Sequence, residues 1–417
     1  MKSYTTISLG CKVNAYEISA LTTQLKSLGY IENNVNPGVA IINTCSVTAT
    51  ADQKSRQHIR KLINNYPHAV VVVMGCYSQG QHSFIKNDIK ADIIVGTSNR
   101  DKLVELITNF KKGDEPIDLT DNNARLFTYE ELGMTTHFEN VRAYLKIQDG
   151  CDNFCTYCLI PYRRGKARNR DRLNILKEAQ NIIEQGYKEI VLTGIHVGGY
   201  EQDENYKFSS LVEDLLNLDL YRLRISSIEE SEIDDKLINL INTKDNLASH
   251  FHIPLQSGSD TVLARMNRKY NSSEFLSKIN LIKKACPNVT LTTDVIVGFP
   301  GESEEEFLKT IETIKKCGFH MLHVFPFSSR EGTLASKMED QIDPKIKKQR
   351  ALKLIELSNE LWDEYTNNFV NKEVEVLVEQ YDKVNKINIG HTSNYLEVKI
   401  PSERSLVGQI VKTIYKK

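Results

Sequence analysis

Residues 151–158, CDNFCTYC, place three thiols within eight positions, Cys151, Cys155 and Cys158, directly after a run at 144–148 that reads as a β-strand. Beyond it the chain alternates strand candidates at 189–193, 221–226, 250–254, 291–297 and 320–325 with helical patterns near 171–186, 207–218, 233–243, 273–285 and 303–316. Ser303, followed three residues later by Glu306, is a capping-box signal for the last of these. Six strands alternating with five helices predict a partial (β/α)6 barrel, short of the full eight. In such barrels the loops after the strands carry the chemistry, and the thiols follow the first strand.

Upstream, apolar runs at 5–9, 39–43, 70–74 and 92–95 alternate with polar helical patterns, the signature of a Rossmann-like parallel α/β sheet. Each of the first three is followed within a few residues by a cysteine: Cys11, Cys45 and Cys76. Residues just past the strand ends of an open parallel sheet share one rim. These thiols could meet there as a metal site, or each could be an ordinary buried cysteine. Gly113, Asp114, Pro116, Asp118, Asp121, Asn122 and Asn123 interrupt the pattern and predict a domain boundary. Downstream, a long amphipathic helix over 343–369 carries the only tryptophan, Trp362, and residues 371–417 alternate as a small antiparallel β-barrel would. The expected units are therefore 1–125, 137–370 and 371–417.

Composition narrows the function classes. The chain has 417 residues, 53 Lys+Arg against 54 Asp+Glu and a net charge of −1, so nucleic-acid binding would have to rest on local patches. The N-terminus lacks the apolar segment of a secretory signal, and no apolar run approaches a membrane span of roughly 18 residues. The expected compartment is the cytoplasm, with no membrane partner. In a reducing compartment the eight cysteines are expected as metal ligands or catalytic groups rather than disulfides.

Three thiols are one fewer than a fully protein-ligated iron–sulfur cubane requires, which leaves an iron open to substrate or cofactor. A zinc site would want a nearby His or a fourth Cys, and besides the trio none lies between 140 and 195. The C-x3-C-x2-C spacing after the first strand of a partial barrel resembles the signature of radical S-adenosylmethionine enzymes. The resemblance narrows to the methylthiotransferase family through LGCKVNAYE at 9–17, INTCSVT at 42–48, VMGCYSQ at 73–79, CDNFCTYCLIPYRRG at 151–165, HIPLQSGSD at 252–260 and DVIVGFPGE at 294–302. It implies a [4Fe–4S] cluster on Cys151, Cys155 and Cys158 that chelates S-adenosylmethionine and generates a 5′-deoxyadenosyl radical. It also implies a second [4Fe–4S] cluster on Cys11, Cys45 and Cys76, replacement of a C–H hydrogen by a methylthio group, a C-terminal TRAM domain, and a need for a sulfur donor and a one-electron reductant of flavodoxin or ferredoxin type.

Cofactor contacts are expected from Thr193 and Gly194 after the second barrel strand, Ser226 and Ser227 after the third, Gln256 after the fourth, Gly298 and Phe299 after the fifth, and Arg330 after the sixth. The alternative for the serines is a loop cap and for the glycine-bearing segments a tight turn, while Arg330 could instead meet an anionic group of the substrate. Cys286 and Cys317 are expected to be packing residues. Arg163, Arg164, Lys166, Arg168 and Arg170 crowd the segment beside the thiol loop, where positive charge would hold RNA phosphates. Eight Lys/Arg against six Asp/Glu in 371–417 point the same way. Lys12-Val13-Asn14 after Cys11 and the 151–158 loop resemble the threonylcarbamoyladenosine branch of the family. The expected reaction is methylthiolation at carbon-2 of that nucleoside at tRNA position 37, with a ribosomal-protein aspartate or isopentenyladenosine in tRNA as the other family substrates. An iron–sulfur electron carrier or RNA-binding regulator without turnover, and a radical methylase without sulfur insertion, are the competing classes.

Overall fold

The computed structural model describes residues 2–121, 128–135, 138 and 141–417. Among them the N-terminal strands form one parallel sheet: Ile31–Glu32, Ser3–Ser8, Val39–Thr44, Val70–Gly75, Ile93–Ile94 and Ile117–Asp118, in that spatial order. The central strands Val39–Thr44 and Val70–Gly75 are buried along their whole length, as the β-branched runs require of a sheet covered on both faces. The two-residue strands Ile31–Glu32 and Ile117–Asp118 escape a reading by hydrophobic run because they are too short to show one. Asn122 and Asn123, and the expected unit limits at 125 and 137, lie outside the described residues.

The barrel consists of two parallel three-stranded sheets. Arg142–Lys146, Glu189–Thr193 and Arg222–Ile225 form one, and His250–His252, Thr290–Val297 and Met321–Pro326 the other. Bridges at Leu223↔Leu247 and Ser227↔His252 join them. An open barrel leaves two strand edges to be covered. At the first strand, helix Lys12–Ser27 supplies Tyr16 and Ala20 to a cluster with Leu132 and Tyr144. At the last, helix Pro344–Asn367 lies alongside, and Ser358 Oγ accepts the Leu322 N–H at 2.9 Å.

The C-terminal strands Glu373–Asp382, Ile387–Thr392, Glu397–Pro401 and Ile410–Ile414 pair antiparallel. A bulge between Val378 and Gln380 bends the longest of them, and the sheet curls into a half-barrel. It docks at the N-terminal ends of the barrel strands. There Arg142 donates to Glu379 at 2.9 Å, and Arg224 stacks on Tyr395 while donating to the Ser393 carbonyl.

Candidate active site

Each N-terminal cysteine sits where a strand hands over to the next element. Cys11 is the N-cap of helix Lys12–Ser27, Cys45 follows Val39–Thr44, and Cys76 opens helix Cys76–Phe84. Helix N-termini favour thiolate over thiol. The loops close on one another at Gly10, which adopts φ +100°; a Cβ there would fall 2.7 Å from Cys45 Cβ and 2.8 Å from its sulfur. The three thiols lie near enough to act on one another electrostatically. Burial pushes the Cys45 thiol up and the Cys76 thiol up to about 11, with Arg164 pulling the latter back.

The second trio occupies the loop after the first barrel strand. Gly150 at φ +74° starts it, and only a glycine fits, since a Cβ would meet the Lys166 carbonyl oxygen at 1.9 Å. The Asn153 N–H points at Cys151 Sγ (3.5 Å), the Ile160 N–H at Cys158 Sγ (3.4 Å), and Arg268 donates to Cys155 Sγ (3.4 Å). Burial raises Cys151 to about 12 and Cys158 to about 11, so metal loading here is coupled to proton release. Among the described residues no three His, Cys, Asp or Glu side chains form the tight cage of a single metal ion. A cubane takes each cysteine at a separate iron and accepts a wider triangle. All-thiol donor sets, N–H···S hydrogen bonds and a glycine-permitted close approach fit that group at both trios.

Arg164 joins the two sites. It is fully buried and donates to Cys76 Sγ (3.3 Å), Asn14 Oδ1 (2.8 Å), Glu17 Oε1 (2.8 Å) and Asp149 Oδ1 (3.1 Å). Lys146 and Arg100 pair with the same two carboxylates. Burial alone would raise Glu17 and Asp149; the surrounding cations overrule it and hold both well below the usual carboxylate range.

This network corrects part of the expected RNA surface. Arg164, Arg168 and Arg170 are buried. Arg168 donates to the Arg164 and Lys166 carbonyls, and Arg170 pairs with Glu131 and Glu178. Their guanidinium groups are thus engaged inside the protein, against internal carboxylates and carbonyls. Arg163 is half-buried along an open cavity with Arg56 and Arg330, and Lys166 is exposed. Arg330 is likewise committed within the protein: its guanidinium is buried against Asp52 and Ser46, beside Cys45.

The remaining predicted contacts ring the barrel. Thr193 is buried, and its carbonyl accepts the Ile147 N–H. Gly194 lies beside Gln148, whose Oε1 accepts the Ile195 and His196 N–H groups. Ser226 and Ser227 line a lumen cavity. Gln256 takes φ +61° and Gly298 φ +70° at the ends of their strands. Phe299 is fully buried against Tyr157 and Phe327, so it supports the thiol loop by packing. Cys286 and Cys317 are buried in the barrel core. Sequence reasoning overlooked Glu17, Asn14, Asp149 and Arg268. Asn14 and Glu17, three and six residues after Cys11 on one helix, were the available signal.

Residues 145–314 match the Radical SAM superfamily, and residues 3–96 match the uncharacterized protein family UPF0004. The threonylcarbamoyladenosine tRNA methylthiotransferase MtaB of Bacillus subtilis (strain 168) is 44% identical over 97% of this chain and 92% of its own. The protein of the same name from Aquifex aeolicus (strain VF5) is 33% identical over 98% of each chain. The tRNA-2-methylthio-N(6)-dimethylallyladenosine synthase of Acetivibrio thermocellus is 35% identical over 98% of this chain and 88% of its own. Among solved structures, the radical S-adenosylmethionine methyltransferase TsrM from Kitasatospora setae shares the fold, with a TM-score of 0.57 at 12% identity, covering 78% of this chain and 75% of that one. Matched nearly end to end by such relatives, with both cysteine trios in place, the chain belongs to the radical S-adenosylmethionine methylthiotransferase family.

Proposed function

We propose that this enzyme adds a methylthio group to carbon-2 of N6-threonylcarbamoyladenosine at position 37 of tRNA, next to the anticodon. The carrying observation is the 44% identity, sustained over 97% of the chain, with a relative named for that nucleoside, against 35% for one named for the dimethylallyl nucleoside. As a radical S-adenosylmethionine protein it uses that cofactor and a [4Fe–4S] cluster, for which Cys151, Cys155 and Cys158 are the ligands in this reading. Cys11, Cys45 and Cys76 would hold a second [4Fe–4S] cluster, which would supply a site for the sulfur to be transferred. When bound, the first cluster and its S-adenosylmethionine supply reductive carbon–sulfur cleavage and a radical able to attack an unactivated C–H bond.

The chain's own residues orient and insulate. Arg268 and the loop N–H groups stabilise the thiolates, Tyr157 and Phe299 pack beneath them, and Arg164 fixes the spacing between the trios. Thr193, Gly194, Gln256 and Gly298 line the strand ends where S-adenosylmethionine would lie. Arg163, Lys166 and the curled sheet of 371–417 are the surfaces offered to tRNA. A flavodoxin- or ferredoxin-type reductant and a sulfur donor complete the reaction, which belongs in the cytoplasm. Among the described residues no helix is long and apolar enough to cross a membrane.

Mass spectrometry of tRNA nucleosides from cells with and without the gene tests the assignment. Loss of the 2-methylthio form with accumulation of threonylcarbamoyladenosine is the expected result. An unchanged profile in a strain without a second such enzyme refutes it.

A further inference from the structure

The barrel lumen holds a cavity of about 330 Å³ lined mostly by polar side chains, Ser226 and Ser227 among them, to which neither cluster is assigned. His250, His252, Asp294 and His323 wall it, Tyr395 lines it from the C-terminal sheet, and Lys12, the residue after Cys11, lines it from the N-terminal unit. Some of its polar groups are already committed. Asp294 Oδ1 lies 3.1 Å from His252 Nε2, and the Thr292 hydroxyl sits 2.9 Å from both His250 Nε2 and His252 Nδ1. Others are not. Nδ1 of the buried His250 has no hydrogen-bond partner, and among the described residues the side chains of Lys12, His323, Ser226 and Ser227 make no hydrogen bond or ion pair. Burial, reinforced by nearby positive charge including Lys12, lowers the basicity of His250 and His323. They therefore present neutral imidazoles and leave Lys12 as the uncommitted cation of the cavity.

We propose that this cavity receives the N6 side chain of the substrate adenosine, with Lys12 pairing the terminal carboxylate and the imidazoles of His250 and His323 meeting its hydroxyl and carbamoyl groups. The assignment rests on the proposed threonylcarbamoyladenosine substrate and names the residues that would read it. That side chain carries one carboxylate, one hydroxyl and a urea; a buried carboxylate demands a cation, and the neutral groups demand neutral hydrogen-bonding partners. A prenyl side chain would leave the imidazoles, Thr292 and Lys12 facing hydrocarbon. A site built to hydrogen-bond a group discriminates strongly against analogues that lack it.

The test uses anaerobically reconstituted protein with anticodon stem-loops that carry threonylcarbamoyladenosine, isopentenyladenosine or unmodified adenosine. Binding preference and methylthio product are measured for wild type, Lys12→Met and Lys12→Arg, with iron content recorded for each. Loss of a charge-assisted contact should cut the preference for the threonylcarbamoyl loop by about tenfold or more in Lys12→Met, with most of it restored in Lys12→Arg. Wild type that modifies the threonylcarbamoyl loop, together with Lys12→Met that keeps the full preference, overturns the role of Lys12. Wild type that modifies only the isopentenyl loop overturns the substrate reading itself.

Discussion

Arg164→Met separates two accounts of the basic segment beside the thiol loop. A phosphate contact, once removed, would shallow the salt dependence of tRNA binding by about 0.7–0.9 in log–log slope and leave stability within roughly 0.5 kcal/mol. The structure predicts the reverse. Arg164 is fully buried and serves Glu17, Asp149, Asn14 and Cys76. Removing one member of a buried ion network typically costs 3–5 kcal/mol. Here Lys146 and Arg100 still face Glu17 and Asp149 after the substitution, so the remaining charges balance and the loss should sit near the low end, about 3 kcal/mol. Urea unfolding gives this as the midpoint shift multiplied by the denaturant slope, and tRNA titrations from 50 to 200 mM salt give the binding slope. Unchanged stability with a shallower salt slope would refute the buried-network account.

Cys76→Ala should abolish methylthio product while S-adenosylmethionine is still cleaved to 5′-deoxyadenosine, whereas Cys151→Ala should abolish both; product from the Cys76 variant would remove the second cluster from the reaction. Arg330→Ala releases Asp52 and Ser46 beside Cys45, so amide exchange across 46–52 should rise with little change in the C-terminal sheet. Burial, with Lys283 nearby, lowers His320 to about 4 from an ordinary value near 6.5. The unfolded chain therefore binds the proton more readily, and this contribution to stability, complete above pH 6.5, is lost as pH falls toward 4. His320→Gln should flatten the stability profile of the wild type in that window; parallel profiles would count against it.

What the sequence discloses is what lies close along it. The barrel strands, the capping box at Ser303 and the placement of each cysteine after a strand are local patterns, and the structure has the strands and helices within a few residues of the reading. The misread features are those whose cause lies far away in the chain. Arg164 reads as a surface cation because Glu17, 147 positions earlier, is invisible to a charge count. Arg330 meets Asp52 across 278 positions. The short helix Asp260–Arg265 is a separate case, too brief for periodicity to register. Glu17 and Asp149 carry no motif of their own, and their meaning appears only once the N-terminal sheet is set against the barrel.

Arg164 ends a single turn of helix, Ile160–Arg164, that starts two residues after Cys158. That turn behaves as a caliper between the trios: one jaw is the thiol loop, the other the guanidinium at Cys76. Each residue of an α-helix advances about 100° around its axis. A single insertion or deletion there would swing the guanidinium to the wrong side, although Tyr162 within the turn and Lys166 just beyond it are exposed. Chain length in this short segment is thus held as tightly as residue identity, an indel constraint that surface exposure alone would never reveal.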